Sequence, residues 1–133
     1  MHGLLQKLKR RLLPAGTAPR CVPLGLFRGL RLNLDLRDQA QVYFGIWERE
    51  VYTATRHLLK GCQSAVDVGA CAGEYTLLCL RQPSMRRVIA VEPYPPHLDR
   101  RHAAVAGNRV GHDARPDIRT EILGNSSHPA TTT

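Results

Sequence analysis

Residues 64–76 constrain the fold of this chain more than any other stretch. Ser64 to Val68 is a short apolar run interrupted only by Asp67, and such runs are typical of strands covered on both faces in a parallel sheet. A turn of small residues bracketed by Gly69 and Gly73 follows. Glycine adopts positive φ angles and lets a ligand lie against the backbone. The next residues begin a helix, whose first N–H groups favour an anion. The pattern predicts a strand, a ligand-binding turn and a helix.

A second apolar run ends in an acid, Glu92, which stands 23 residues after Gly69. An acid near that spacing accepts hydrogen bonds from ribose hydroxyls in dinucleotide-binding folds. A dinucleotide fingerprint would place glycines at positions 69, 71 and 74, but this chain has Cys71 and Glu74. A nicotinamide-dependent oxidoreductase is therefore a poor interpretation. S-adenosylmethionine is cationic and fits better, with Asp67 near its methionyl end, Glu92 on its ribose and the turn beneath it.

The segment Asp67-Val-Gly-Ala-Cys-Ala-Gly-Glu-Tyr-Thr, together with Val-Ile-Ala-Val-Glu92-Pro, resembles the first two motifs of S-adenosylmethionine-dependent methyltransferases of the FkbM type. The resemblance covers roughly residues 30–123, and Cys71 stands where that family usually has Asn. It implies an enzyme that methylates an oxygen of a small-molecule, glycan or polyketide-like acceptor. No catalytic base can be named from the sequence. The residues expected to bind S-adenosylmethionine are Asp67, Gly69, Ala70, Cys71, Gly73 and Glu92.

Strands and helices alternate along this part of the chain, which predicts an α/β fold with a parallel sheet. We expect strands at 64–68, 87–92 and 117–123, separated by helices at 74–81 and 96–106. The resemblance implies a Rossmann-like class I methyltransferase fold, whose sheet has seven strands.

We therefore expect a domain over residues 24–124 that is truncated after its third parallel strand, followed by a disordered tail at 125–133. Truncation would leave the strand at 64–68 as an apolar edge, and such an edge invites self-association. An inactive remnant of an enzyme, or an association module, is accordingly a second interpretation.

A small antiparallel lead-in is expected before the parallel sheet. Leucines alternate with polar residues from Leu30 to Leu36, which is typical of a half-buried strand, and its expected partner is the segment 22–27. A helix is predicted over 47–60, ended by Gly61. Its inward residues are expected to be Val51, Ala54, Leu58 and Leu59.

The basic charge of the chain is concentrated at its N-terminus. Residues 1–34 contain seven Lys and Arg residues and no acid. We interpret residues 1–23 as a basic arm followed by a proline-containing linker at 14–23. The arm is expected to be a solvated or docking helix, or else to make weak contact with an anionic membrane surface or nucleic acid. No run is long and apolar enough to predict a transmembrane helix.

The cysteines and histidines predict no metal site. The four cysteines lack a paired spacing, which favours reduced thiols and a cytoplasmic protein. The histidines that we considered have no spacing typical of metal ligands, and we interpret them as surface or core residues: His57, His97, His102, His112 and His128.

Most candidate site residues also have a purely structural interpretation. Gly69 and Gly73 could serve close packing, Asp67 could cap the turn, and Glu92 could be a solvent-facing strand end. Cys71 is expected to be a small buried turn residue rather than a reactive thiol at a helix N-terminus. Further upstream, the family resemblance suggests that three residues line the cofactor or acceptor pocket, although core packing is an alternative for the aromatic ones: Tyr43, Trp47 and Glu48.

Overall fold

The computed structural model describes residues 11–108 and 116–119. These residues form a mixed α/β structure, as the alternation of strands and helices predicts. It contains a two-stranded antiparallel sheet near the N-terminus and a three-stranded parallel sheet after it. The start of the predicted basic arm, residues 1–10, and the predicted tail at 125–133 lie outside the described residues.

The antiparallel lead-in is present, but its first strand is not the predicted one. Strand β1 (Thr17–Cys21) pairs with β2 (Arg31–Asp35). The predicted partner, 22–27, instead forms most of the loop between the two strands, and the linker predicted at 14–23 contains β1. Pro19 suggests a linker, yet it lies in β1, opposite Asn33 of β2. Proline is tolerated there because β1 is an edge strand among the described residues.

Strand β2 is shorter than the leucine alternation predicts, since helix α1 (Leu36–Tyr43) begins at its last leucine. Asp35 caps this helix, because its carboxylate accepts a hydrogen bond of 2.9 Å from the Arg37 N–H. Such a cap satisfies one of the backbone donors that a helix start leaves free. The helix cap at Asp35 therefore ends the strand before Leu36, although the alternation of leucines predicts that the strand continues.

The helix predicted over 47–60 is a 3-10 turn (Arg49–Val51) followed by helix α2 (Tyr52–Leu59). Its predicted inward face is wrong at three of the four residues, and only Leu59 is partly buried and packs against the core. Val51, Ala54 and Leu58 are exposed, Leu58 to 70%, and Tyr52 is the buried residue. The Tyr52 hydroxyl lies beside the close approach of Gly25 and Gly45 in the N-terminal region. That contact, which lies far away in sequence, orients the helix.

The parallel sheet follows the predicted order of elements. Its three strands lie side by side in sequence order, with the second strand in the middle. The weak strand predicted at 117–123 is described as far as residue 119. The elements are β3 (Ser64–Val68), α3 (Glu74–Leu80), β4 (Arg87–Val91), α4 (Pro95–Gly107) and β5 (Pro116–Arg119).

Helix α3 lies between the parallel sheet and the N-terminal region. Its residues from Thr76 to Leu80 are all buried. The sheet covers one side of the helix, and the loop between β1 and β2 covers another, where Phe27 contacts Tyr75 edge to face. The hairpin is also tied to the end of α4, since the Arg31 N–H donates to Asn108 Oδ1 at 2.8 Å and Asn108 Nδ2 donates to the Arg31 carbonyl at 2.7 Å. The N-terminal region is thus part of the same core.

Strand β3 is covered less than its apolar sequence predicts. Val66 is 64% exposed and Val68 is 61% exposed. Residues alternate between the two faces of a strand, so both valines lie on the face opposite Asp67. Within the described residues, β3 pairs only with β4. The expected burial of both faces of this strand is therefore wrong for residues 11–108 and 116–119.

None of the helices in the described residues combines the length and the apolar character that crossing a membrane requires.

Candidate functional site

The turn after β3 is held above the end of β4 by two backbone hydrogen bonds. The N–H groups of Gly69 and Ala70 both donate to the Val91 carbonyl, at 2.9 Å and 3.1 Å. Gly69 has a φ of 72°, and a Cβ atom built on it would meet nothing within 4 Å. The backbone at Gly69 therefore faces open space, which is the arrangement that allows a ligand to approach it.

Gly73 has a different role in the same turn. Its φ is 93°, and an added Cβ would lie 2.8 Å from Arg101 Cγ. Gly73 is buried and is not among the residues that line the adjacent cavity. Of the two interpretations of this glycine, the structure favours close packing between the turn and α4.

Cys71 is exposed, so the expectation of a buried turn residue is wrong. Its φ of 49° lies in the left-handed region, which is uncommon for residues other than glycine, asparagine and aspartate. Burial raises the pKa of the Cys71 thiol, and the charge of Glu74 raises it further. A reactive thiolate is therefore disfavoured, as the sequence interpretation expected.

Glu92 is buried, with only 6% of its surface exposed, so it is not a solvent-facing strand end. Its Oε2 accepts a hydrogen bond of 2.9 Å from the Cys71 N–H, and its Oε1 accepts one of 2.9 Å from the Tyr94 N–H. Burial opposes ionisation of this carboxyl, but the two N–H donors and the contact with His97 together outweigh it and lower the pKa of Glu92. The result is a fixed carboxylate directly beside the glycine turn.

Two further acids lie near the first turn of α3, namely Asp67 in β3 and Glu74 at the helix start. Asp67 Oδ2 accepts a hydrogen bond of 2.6 Å from the Thr76 hydroxyl, so this acid in an apolar strand has a partner and also faces the cavity. Burial raises the pKa of Glu74, and repulsion from Asp67 adds to it, against the hydrogen bond from the Glu74 N–H. The surroundings of the turn are therefore negatively charged.

A cavity of about 290 Å³ opens on one side of the turn. The β3–α3 wall brings together four of the six predicted cofactor-binding residues and one further acid: Asp67, Gly69, Ala70, Cys71 and Glu74. Gly73 and Glu92 do not line this cavity. Glu92 lies across the turn, where it holds the Cys71 N–H.

The opposite wall of the cavity comes from the N-terminal half of the chain and from Tyr75. Tyr75 donates a hydrogen bond of 2.7 Å to Glu48 Oε2, and burial together with this bond raises the pKa of the Tyr75 hydroxyl. Trp47 and Glu48 line the cavity as the resemblance implies, whereas Tyr43 packs against Phe44 and the core. The residues on this wall are Phe27, Gln39, Gln41, Val42, Trp47, Glu48 and Tyr75.

Sequence reasoning missed His97, which lies in the first turns of α4. Its Nε2 lies 3.8 Å from Cys71 Sγ, and its Nδ1 lies 3.5 Å from Glu92 Oε2. Tyr94 packs edge to face on its ring. No local spacing links residues 71, 92 and 97, so the contact depends on how α4 crosses the turn.

Arg101 was also missed, since an arginine on a helix is usually solvated. It is fully buried, and its Nη2 donates to the Cys71 carbonyl at 3.3 Å. Its Nε and Nη1 have no hydrogen-bond partner within the described residues. Arg101 thus binds the backbone of the turn, and its positive charge offsets part of the negative charge of Asp67, Glu74 and Glu92.

Comparison with known proteins places the chain in no family. No family profile matches it, and no curated protein does. Among solved structures, it is similar to the one titled "Crystal Structure of EvdMO1", at 21% sequence identity and a TM-score of 0.40. The alignment covers 87% of this chain and 23% of that one, so the chain spans less than a quarter of the length of that structure.

Proposed function

We propose that this chain carries the cofactor site of an S-adenosylmethionine-dependent methyltransferase of the FkbM type, on a Rossmann-like class I fold. The observation that carries the proposal is the Glu92 carboxylate. It is buried, ionised and fixed to the glycine turn by the Cys71 N–H. A carboxylate at this point of a parallel α/β sheet suits the hydroxyls of a ribose.

The charge of the cavity supports a cationic cofactor. Among the described residues, its lining includes the acids Glu48, Asp67 and Glu74 and no Lys, Arg or His. Opposite charges attract strongly where water is partly excluded, so this wall suits a sulfonium and an ammonium group. A diphosphate would meet repulsion from the same acids. The open space at Gly69 allows a ligand to lie against the backbone.

Each residue has a defined task in the proposed site. Bound S-adenosylmethionine would supply a methyl group on an electron-poor sulfur. Glu92 would hold the ribose, and Asp67 would face the methionyl end. The backbone at Gly69 and Ala70 would support the cofactor, while the Tyr75 hydroxyl keeps Glu48 at the cavity wall.

The acceptor is proposed from the resemblance: an oxygen of a small molecule, a glycan or a polyketide-like compound. The described cysteines are all free, which is in keeping with the proposed cytoplasmic location. We expect an acceptor to enter beside Trp47, because Trp47 faces the turn across the cavity.

Calorimetric titration of the chain with S-adenosylhomocysteine tests the proposal. The variant Glu92→Gln keeps the shape of the side chain and removes its charge, and we expect it to weaken binding by about 10-fold to 100-fold, the value of a hydrogen bond to a charged group. Glu50→Gln is the matched control, because Glu50 is an exposed glutamate in the 3-10 turn. No binding to the unaltered chain, or equal binding by Glu92→Gln, would rule the cofactor site out.

Self-association is a second candidate role, supported by the exposure of Val66 and Val68 on β3, which is an edge strand among the described residues. Apolar edge strands pair readily with another chain. Sedimentation of the full chain should show a concentration-dependent dimer that Val66→Lys dissociates. A monomer at every concentration would contradict this role.

A further inference from the structure

The contact between α4 and the glycine turn brings together three side chains that are ligands of transition metals. One donor atom from each of Cys71, Glu92 and His97 lies within 4.8 Å of the donors of the other two. These residues are 21 and 5 positions apart in the chain, so the cluster is a product of the tertiary structure. It includes a thiol, a carboxylate and an imidazole, which are the three side-chain ligands that Zn²⁺ uses.

The distance between His97 and Glu92 is close to that between two ligands of a tetrahedral zinc site. Bond lengths of about 2.1 Å to nitrogen and oxygen place two such ligands about 3.4 Å apart at the tetrahedral angle. His97 Nδ1 and Glu92 Oε2 are 3.5 Å apart. The thiol of Cys71 is 3.8 Å from the other ring nitrogen, and a rotation of this exposed side chain would bring its sulfur to the metal.

In the part of the chain that the structure describes, the buried Nδ1 of the imidazole has only a long contact with Glu92 Oε2, at 3.5 Å. Nδ1 of His97 is buried and forms no hydrogen bond within the described residues. A buried polar atom is normally satisfied, and this one points toward the Glu92 carboxylate. Glu92 Oε2 accepts the Cys71 N–H and faces His97 Nδ1 at 3.5 Å, and an ionised carboxylate has further lone pairs for a metal.

The surroundings favour a cation at this point. Glu74 and Glu92 both act on the Cys71 thiol as negative charges, and Arg100 opposes them, so the two carboxylates would attract a divalent ion. We propose that Cys71, Glu92 and His97 form a binding site for a borderline-soft divalent cation, Zn²⁺, with water as the fourth ligand. Three protein ligands and one open position are typical of zinc sites that exchange a ligand. The site shares Glu92 with the proposed cofactor site, so Zn²⁺ and the ribose would compete for one carboxylate. Its test requires no S-adenosylmethionine, so the two proposals can fail separately.

Titration of the reduced full-length chain with Zn²⁺ alone, by calorimetry, tests the site, and Co²⁺ serves as the spectroscopic probe. We expect one tight equivalent, and an intense sulfur-to-cobalt charge-transfer band that shows ligation by a thiolate. Zn²⁺ should also raise the melting temperature of the chain, because it binds the folded state.

Two variants remove ligands without removing the fold. Cys71→Asn places a residue that tolerates a left-handed conformation at the φ of 49°, and His97→Ala truncates an imidazole that has no hydrogen-bonded partner at Nδ1. Each should weaken Zn²⁺ binding by at least about 10-fold, since even outer-shell partners of a metal contribute that much. Cys71→Asn should also abolish the charge-transfer band.

The matched controls are Cys21→Ser and His102→Ala, which alter an exposed thiol and an exposed imidazole away from the cluster. They should bind Zn²⁺ as the unaltered chain does. Absence of stoichiometric uptake would overturn the proposal. Affinity that is unchanged in Cys71→Asn and His97→Ala, or lowered equally in the controls, would overturn it as well, because the ion would then bind elsewhere.

Discussion

Helix α3 and strand β3 are neighbouring apolar segments with opposite outcomes. The helix residues from Thr76 to Leu80 are buried without exception, whereas Val66 and Val68 of the strand are more than half exposed. The helix is covered by the sheet on one side and by the β1–β2 loop on another. The outer face of the strand has no such cover among the described residues. An apolar sequence shows which residues gain from burial, but a distant segment has to supply the cover.

The largest predicted effect is the difference in free energy of unfolding between a variant in α3 and a variant in β3. Leu77→Ala should lower the free energy of unfolding by about 2–5 kcal/mol, because Leu77 is 1% exposed and its loss leaves a cavity. Val66→Thr should change it by less than about 0.5 kcal/mol, as exposed positions do. Urea unfolding of both variants checks the difference. A cost above about 1 kcal/mol for Val66→Thr would show that the outer face of β3 is covered.

A second comparison concerns the two glycines of the turn. Gly69→Ala should lower the free energy of unfolding by about 1–2 kcal/mol, the strain of a left-handed residue with open space around it. Gly73→Ala adds a clash with the buried Arg101 side chain and should lower it by about 2–4 kcal/mol. Thermal unfolding of both variants measures the two values. Equal values would mean that the Arg101 side chain moves aside for the added methyl group without a loss of stability.

The two glutamates at the turn should respond to pH with opposite signs. The pKa of Glu92 is lowered in the folded state. Its stabilisation is therefore complete above the ordinary glutamate pKa of about 4.3, and it is lost as the pH falls through the folded value. Glu92→Gln should cost about 1–2 kcal/mol at neutral pH, the loss of charge-assisted hydrogen bonds. Unfolding curves at several pH values should show that this difference shrinks in acid.

Glu74 has the opposite linkage, because its pKa is raised in the folded state. Its charge destabilises the fold above the raised pKa, and this effect is absent below the ordinary value. Glu74→Gln should therefore raise the melting temperature at neutral pH and leave it unchanged below a pH of about 4. A variant that is less stable than the unaltered chain at neutral pH would contradict this sign.

The smallest predicted effect is a stabilisation at Cys71. Its left-handed conformation is unfavourable for a cysteine, and asparagine adopts that region several times more often than most residues. Cys71→Asn should raise the free energy of unfolding by about 0.5–1 kcal/mol, measured by urea unfolding. Cys71→Val is the matched control and should be less stable, since β-branched residues are strained at positive φ.

Local patterns in the sequence predicted the elements well. The strand at 64–68 is confirmed as β3, and the helices predicted at 74–81 and 96–106 are confirmed as α3 and α4 to within one residue at their ends. These segments combine apolar runs with glycine and proline boundaries. The first strand of the hairpin was missed because Pro19 signals a linker, and only its position on an edge makes a strand possible.

The residues of the candidate site also fall into two groups, those that the sequence places together and those that only the tertiary structure brings together. Asp67, Gly69, Ala70 and Cys71 lie together at the cavity because they are adjacent in the chain. The burial of Glu92 and the neighbourhood of His97 could not be predicted, since both depend on how α4 approaches the turn.

The sequence by itself determined the order of strands and helices, the turn after β3 and the acids that surround it, because these follow from local backbone preference and the period of apolar residues. Tertiary structure alone decided which apolar faces are covered, that Gly73 lies against Arg101, and that Cys71, Glu92 and His97 meet. The physical reason is that burial and ligand geometry require segments far apart in the chain to come within a few ångströms of each other. No local pattern of residues encodes that distance.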